Sequence, residues 1–487
     1  MPSRPRRPRR PMAAPPRVMP RSGSWAVAAV AVAATVGGVH GRLTSLHAEC
    51  QAWQRSAVLP CQKPVQRAAV SLPPGVLLGG ATAGTSMFSG YVNVTDQDYL
   101  FYLFAEANAR APSDAPLIVW TGGGPGCSAM EAATMETGPY VLFDVKQGSS
   151  MFPRKFSKNA WTWNRFAHVL YVDQPRYVGF STGTGAPVTS SADAGRDMVH
   201  FLLGWRRLFP EHSRRPLIFA SDSYGGHLVA AWAAAVLDHN SYGLEPLMLR
   251  GIAVGNAILN ETVQSNLALH EFARREKLIP ENERPGATFA DTRAEMMVQL
   301  GYSPNVYDYR LQDQECCGCT AYNYKAWADF LLMESISQSL HVCGGAGVNA
   351  FGGCGGGCID LIGLGFDQNG RGPDTLANLG RVLQEGIPVT LFYGMQDIAA
   401  NYVGGFAAAS ALHWSGAKEF AGAPLEDFHI SGTSAGQVKS GGGLNWMQIK
   451  GAGHMVAADH PAAAIVAMSN LIKQVVGEDP PEMLRYT

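Results

Sequence analysis

Five short runs along the chain are almost wholly apolar, each closed by glycine or a polar turn. They are Leu117-Ile-Val-Trp120, His168-Val-Leu-Tyr-Val172, Leu217-Ile-Phe-Ala220, Gly251-Ile-Ala-Val254 and Val389-Thr-Leu-Phe-Tyr393. A run without polar alternation suits a strand buried on both faces, as in a parallel sheet covered by helices. Helical patterns lie between and after these runs, over Asp193 to Leu208, His227 to Leu237, Leu376 to Glu385 and Ala462 to Val476. Strand and helix in alternation is the α/β signature, so the expected architecture is a mostly parallel central sheet flanked by helices. Upstream, Tyr91-Val-Asn-Val and Tyr99-Leu-Phe-Tyr-Leu-Phe104 read as antiparallel strands around the polar turn Thr95-Asp-Gln-Asp98.

Between residues 260 and 375 the rhythm breaks. This segment is rich in cysteine and glycine, with one predicted helix over Ala326 to Leu340. It reads as a disulfide-rich insertion, a cap over the strand ends where ligands bind in open α/β sheets. The expected division is a basic leader and signal peptide (1–40), a leader or pro-segment (41–85), the first part of the core (86–259), the insertion (260–375) and the rest of the core (376–487).

Charge and cysteine usage narrow the setting. Basic and acidic residues nearly balance, 38 against 39, but seven arginines fall within residues 1–40, which hold no acid. Taking these seven from the 38 leaves 31 basic residues against 39 acidic ones, a balance of −8. The rest of the chain has no basic stripe able to neutralise phosphates, which excludes a nucleic-acid partner. The arginine-rich start precedes the apolar run Trp25 to Val39 and then His40-Gly41, the order of a secretory signal peptide. The run is shorter than the roughly 20 residues that span a bilayer. An uncleaved anchor, which would bring a membrane partner, and an organellar transit peptide are the other readings. Nine cysteines (Cys50, Cys61, Cys127, Cys316, Cys317, Cys319, Cys343, Cys354 and Cys358) fit disulfides in an oxidising compartment. Their spacing lacks the paired regularity of a zinc site, so no metal and no cofactor are expected. Asn93-Val-Thr95 and Asn260-Glu-Thr262 are glycosylation acceptors that fit the same route.

The chemistry centres on Leu217-Ile-Phe-Ala-Ser-Asp-Ser223-Tyr-Gly-Gly-His. An apolar strand runs into a serine with small residues at −2 (Ser221) and +2 (Gly225), and a helix follows. This is a nucleophile elbow, a strained turn that exposes the serine oxygen. Asp397 lies just past a late apolar strand, and His454 lies in a glycine turn past the strand Trp446 to Ile449. Serine, acid and histidine in that order are the triad of the α/β-hydrolase fold. Ser223 would attack, His454 would move the proton, and Asp397 would hold the imidazole. Trp120-Thr-Gly-Gly-Gly-Pro-Gly-Cys-Ser128 follows the first buried strand, where the fold supplies an oxyanion donor; the assigned donors are the backbone amides of Gly124 and Tyr224. No Lys-Ser/Thr follows these glycines, so they are not a phosphate loop.

With these blocks in place the sequence resembles the serine carboxypeptidase family from about Phe88 to Ile472. Further matching blocks are Glu136-Thr-Gly-Pro139, Trp161-Thr-Trp-Asn164, Asp173-Gln-Pro175 with Gly179-Phe-Ser181, Gly251-Ile-Ala-Val-Gly-Asn256, Asn401 beside Asp397, and Gly451-Ala-Gly-His-Met-Val456. The resemblance implies removal of C-terminal residues from peptides or proteins with a free C-terminus, at acidic pH, in a vacuole or lysosome or outside the cell. It also implies a disulfide from Cys127 to the insertion, and a substrate-binding set of Gly122, Gly123, Glu136, Asp222 and Met455. Oligomeric state is left open. The family normally reads Asn-Gly-Gly-Pro-Gly where this chain has Gly122-Gly-Gly-Pro-Gly126, and Gly-Glu-Ser-Tyr where it has Ser221-Asp-Ser-Tyr224. Arg176-Tyr177 replace small residues and are expected to bring bulk and charge near the site.

Loss of the Asn and an Asp before the nucleophile also occur in acyltransferases of this family, so an acyltransferase or esterase using the same triad is the alternative. A third reading is a non-catalytic protein that retains the fold, which an intact triad argues against. Organophosphonate labelling separates them at the first step. Wild-type protein should label and Ser223→Ala should not; folded wild-type protein that fails to label is non-catalytic.

Overall fold

The all-apolar runs form strands whose successive residues enter opposite cores. Ile118, Trp120, Ile218 and Ala220 pack into one apolar cluster, whereas Leu117, Val119, Leu217 and Phe219 pack into another. Side chains alternate between the faces of a strand, so a strand covered on both sides has no polar positions to show. The computed structural model describes residues 64–78, 84–108, 115–142, 155–265, 267–280, 288–313, 322, 324–343, 358–368 and 374–477. The leader through residue 63 lies outside the described residues, with Cys50, Cys61, Cys316, Cys317, Cys319 and Cys354. Among the described residues no helix is long and apolar enough to cross a membrane.

The strands are β1 (Ala68–Ala69), β2 (Met87–Asn93), β3 (Asp98–Ala105), β4 (Leu117–Trp120), β5 (Tyr140–Leu142), β6 (Phe156–Lys158), β7 (His168–Val172), β8 (Thr182–Gly183), β9 (Leu217–Asp222), β10 (Leu249–Gly255), β11 (Val389–Gly394), β12 (Glu426–Ile430), β13 (Thr433–Gly441) and β14 (Leu444–Ile449). Twelve form one sheet in the order β1-β2-β3-β7-β4-β9-β10-β11-β14-β13-β12, with β8 beside β3; β5 and β6 pair separately. The six strands from β7 to β14 run parallel. Antiparallel strands extend both edges. This is the α/β-hydrolase architecture expected from the sequence.

The flanking helices begin and end on readable signals. Ser190 accepts the Asp193 N–H at the start of Ser191–Leu208. Pro461 opens the terminal helix Pro461–Val476, and Gly477 closes it in the left-handed conformation. The helix Gly225–Ser241 follows β9 directly and is almost wholly buried near its start.

The insertion differs from its sequence reading. It holds helices at Glu261–Ser265, Leu267–Arg275 and Phe289–Leu300, and the region expected as one helix is two, Tyr324–Leu331 and Glu334–Ser339. Met333 adopts an extended backbone and breaks the run without any proline or glycine. The cysteine-rich composition masked the helical spacing of Leu269, Phe272 and Ala273, which enter the core cluster on one sheet face. The hairpin β12–β13 also escaped the reading; its turn is Ser431-Gly432, both at positive φ.

Arg176 and Tyr177 bind acids of β3 and of the helix Ser191–Leu208. Arg176 grips Asp197 through Nε and Nη2 at 2.6 and 2.7 Å and reaches Asp98 through Nη1 at 3.1 Å. The Tyr177 hydroxyl donates to the other Asp98 oxygen at 2.7 Å. Asp98 is not a turn residue but the first of β3, 1% exposed, and the Thr95 hydroxyl and Gly185 N–H complete its shell. Removing one partner of a buried ion pair leaves the other charge uncompensated. Arg176→Ala should therefore cost about 3 kcal/mol of stability, read as a lower denaturation midpoint in urea; an unchanged midpoint would show that Asp98 and Asp197 need no counter-charge.

Candidate active site

The ends of β4, β9, β10, β11 and β14 lie side by side, and each carries one part of the site. After β9, Ser223 sits at φ 54, a left-handed backbone that is strained for any residue but glycine. Three bonds hold the turn: Ser223 N–H to Gly255 O at 3.0 Å, Gly226 N–H to Ser223 O at 3.0 Å, and Ile258 N–H to Ser223 O at 2.8 Å. Ser221 replaces the usual glycine because its hydroxyl has a place to go, donating to Thr121 O at 2.8 Å. A Cβ on Gly225 would overlap that hydroxyl, so only glycine fits at +2.

Asp397 follows β11 and is fully buried. Its Oδ2 lies 2.7 Å from His454 Nδ1 and accepts from Asn256 Nδ2 at 2.7 Å and from the Ala400 N–H at 3.3 Å. Its Oδ1 accepts from the Ala399 N–H at 2.9 Å. Asn256 ends β10 and was quoted from the sequence only as part of a family block. Its Oδ1 accepts the Gly394 N–H at 3.0 Å, so it ties two strand ends together while orienting the acid. His454 follows β14; its N–H donates to Tyr307 O at 2.8 Å, and the Tyr307 ring lies 4.6 Å from the imidazole. Burial disfavours the imidazolium, but Asp397, with Asp222 and Glu131 behind it, outweighs that penalty and lifts His454 to about 9. When Asp222 and Glu131 hold protons that extra pull is absent, and the imidazole releases its own proton sooner.

The glycine loop after β4 is fixed from outside the sheet. Cys127 is bonded to Cys358, closing a separation of 231 residues, and the Ile359 N–H donates to Gly126 O at 2.9 Å. The same short segment reaches the elbow, where Asp367 accepts from the Tyr224 hydroxyl at 2.7 Å. Asp367 also accepts the Ser191 N–H and hydroxyl at 2.8 and 2.6 Å. Cys343 is disulfide-bonded as well. Cys127, Glu131 and Cys358 are grouped closely enough to suggest a metal site, but the two sulfurs are bonded to each other and are not thiolates.

Beside Ser223 lie three carboxyl groups. Burial raises Asp222, even though His454 pulls the other way. Glu136 is buried and lifted well above the usual range, by burial first and then by Asp222 and Glu131. Glu131 is half-buried and pushed up to about 8 by burial and by Asp222, while Tyr324 donates to its Oε1 at 2.6 Å. Met455 is buried next to His454; its N–H donates to the Tyr322 hydroxyl at 3.0 Å, and the Tyr324 hydroxyl lies 3.5 Å from its sulfur. Gly122 stands where a Cβ would approach Cys127 O to 2.5 Å, so the backbone has closed over the space a side chain would need. Glu131, Tyr307, Tyr322 and Tyr324 were not singled out from the sequence. Three of the four lie in the insertion, whose composition hid them.

A family model described as serine carboxypeptidase matches residues 78–291 and 285–474. The chain belongs to the serine carboxypeptidase family. It is 29% identical over 423 residues to carboxypeptidase Y homolog A of Trichophyton verrucosum, an alignment that covers 79% of this chain and 74% of that protein. To the protein of the same name from Penicillium rubens it is 29% identical over 422 residues, covering 79% and 73%. Among solved structures its fold matches Kex1Δp, a prohormone-processing carboxypeptidase from Saccharomyces cerevisiae, with a TM-score of 0.68. That match has 21% identity and covers 83% of this chain and 94% of that one.

Asn256→Ala removes a donor from buried Asp397 and leaves the Gly394 N–H without its acceptor. We expect about 2 kcal/mol of destabilisation and inactivation by organophosphonate slowed at least about tenfold. Unchanged inactivation kinetics in the folded variant would mean that the two backbone amides orient Asp397 unaided.

Proposed function

We propose that this protein removes the C-terminal residue of peptides by acyl transfer to Ser223. In the neutral form of His454 the proton sits on Nδ1, facing Asp397, and Nε2 is the nitrogen that accepts the Ser223 proton as the hydroxyl attacks the scissile carbonyl. The oxyanion takes hydrogen bonds from the amides of Gly124 and Tyr224. His454 then gives its proton to the departing amine, and water, activated by the same imidazole, releases the acyl group and restores Ser223. Asp397 holds the imidazole through Nδ1 and stabilises the imidazolium as it forms.

The observation that carries this reading is the pair Asp222 and Glu136 beside the nucleophile. Both carboxyls are lifted from the ordinary range by burial, and Asp222 further raises Glu136. A carboxyl group that keeps its proton donates a hydrogen bond to a substrate's terminal carboxylate, whereas an ionised one repels it. Recognition is therefore present below the raised values and is lost as pH rises through them. The alternative, acyl transfer to an alcohol, rests on Asp222 and Gly122. With no side chain at Gly122, the terminal carboxylate falls to the acids alone.

The setting we propose is the secretory route, ending in a vacuole or lysosome or outside the cell, with the basic and apolar leader acting as a signal peptide. The Cys127–Cys358 bridge supports it. So does Asn93 of the glycosylation triplet, exposed at the end of β2, whereas Asn260 is half-buried and its side chain accepts the Val263 N–H.

The test is release of the terminal residue from matched peptides with free and amidated C-termini across pH. We expect kcat/KM on the free peptide to exceed that on the amide at acidic pH, and the ratio to shrink as pH rises. Equal rates on both peptides would remove the carboxylate-reading role, and transfer from an activated ester to an alcohol with negligible peptide cleavage would replace the reading by the acyltransferase.

A further inference from the structure

Glu131 is the one carboxyl group of the site that neither the triad nor the carboxylate-reading pair uses. It stands immediately before the π-turn Ala132–Glu136, whose closing bond runs from the Thr137 N–H to Ala132 O at 2.8 Å. In an α-helix, residues five apart point about 140° away from each other. The wider π-turn brings them to nearly the same side. Glu131 and Glu136 consequently both feel the charge of Asp222, and each carboxyl acts on the next.

The neighbours of Glu131 define where it stands in the reaction. On one side is Tyr324, whose hydroxyl bonds Oε1 and also approaches the Met455 sulfur. Another side carries the Cys127–Cys358 bridge, with both sulfurs within 4.8 Å of its carboxyl oxygen. His454 and Asp222 act on it electrostatically, and Tyr307, packed on the imidazole, is in turn affected by Glu131. The leaving amine must lie at His454, which protonates it, and the leaving residue's carboxylate must lie at Asp222 and Glu136. The side chain of that residue projects from the carbon between these two points. Glu131 stands among Tyr324, the Met455 sulfur that Tyr324 approaches, and the Cys127–Cys358 bridge. Among the described residues, Tyr324 is the only hydrogen-bond donor recorded on Glu131, which leaves Oε2 for a ligand.

We propose that Glu131 reads the side chain of the departing residue and selects peptides that end in lysine or arginine. This rests on the carboxypeptidase reading and adds the substrate class. Tyrosine and methionine take the aliphatic stem of such a side chain, and the carboxylate takes its cationic end. The charged groups around Glu131 are Asp222, Glu136 and His454, with the hydroxyls of Tyr307 and Tyr324. Since the unliganded carboxyl keeps its proton up to about pH 8, a cationic side chain must draw that proton off. The preference therefore grows as pH rises toward that value.

The experiment compares kcat/KM on peptides that differ only in the last residue, lysine against norleucine, for wild type and Glu131→Gln. Glutamine keeps the acceptor for Tyr324 and the side-chain volume but not the charge. Wild type should favour lysine by about tenfold, the value of one partly buried charge pair, and Glu131→Gln should bring the ratio to within about twofold of unity. A variant that retains the wild-type ratio overturns the proposal. So does one that keeps the ratio but no longer distinguishes free from amidated termini, which would place Glu131 with the carboxylate readers. Wild-type protein that labels with organophosphonate yet cleaves neither peptide would overturn the carboxypeptidase reading itself, a result distinct from cleavage without lysine preference.

Discussion

A fully buried carboxylate is tolerable only where donors converge on it, and Asp397 gathers four: His454, Asn256 and the amides of Ala399 and Ala400. The donors come from the ends of three parallel strands, so satisfying one charge fixes the relative positions of β10, β11 and β14. The insertion joins the same knot through Val306 O, which accepts the Ile398 and Ala399 N–H groups, and through Tyr307 O, which accepts that of His454. Sheet register, acid orientation and imidazole position are one constraint seen from three sides.

A few ångströms away the opposite electrostatic rule applies. Asp222, Glu136 and Glu131 crowd together with few donors, and burial holds their protons on. Three acids of the site thus resist ionising, whereas Asp397, the most deeply buried of the four, is the one on which hydrogen-bond donors converge. The two behaviours couple through His454, whose affinity for a proton depends on how many of the neighbouring acids are charged.

Much of this was legible in the sequence where local pattern and fold agree. Apolar runs located the parallel strands, and small residues around Ser223 located the strained turn. Asp397 and His454 were placed past their strands before anything showed that they touch. What escaped was set by contacts between distant segments. Glu131 sits five residues from Glu136, a spacing that means separate faces unless the turn is a π-turn, and nothing local announces one. Tyr307, Tyr322 and Tyr324 lie in a segment whose glycines and cysteines drown any period. The partners of Arg176 escaped for a related reason: the acids that bind it, Asp98 and Asp197, are 78 and 21 residues away.

The segment 358–368 has a bearing on how such a protein can vary. One end is bonded to the glycine loop at Cys127 and the other holds Tyr224 through Asp367, so a single short strap fixes both proposed oxyanion donors from outside the sheet. Precision in that corner is therefore supplied by two anchor points and not by the long stretch of chain that leads to them. Away from its own anchors at Val306, Tyr307 and Tyr322, the stretch between β10 and Cys358 can lengthen, shorten or change composition over evolutionary time while the reacting groups keep their places. A lineage could thus reshape the walls that meet the substrate by rewriting the insertion, and leave the bond-breaking apparatus as it inherited it.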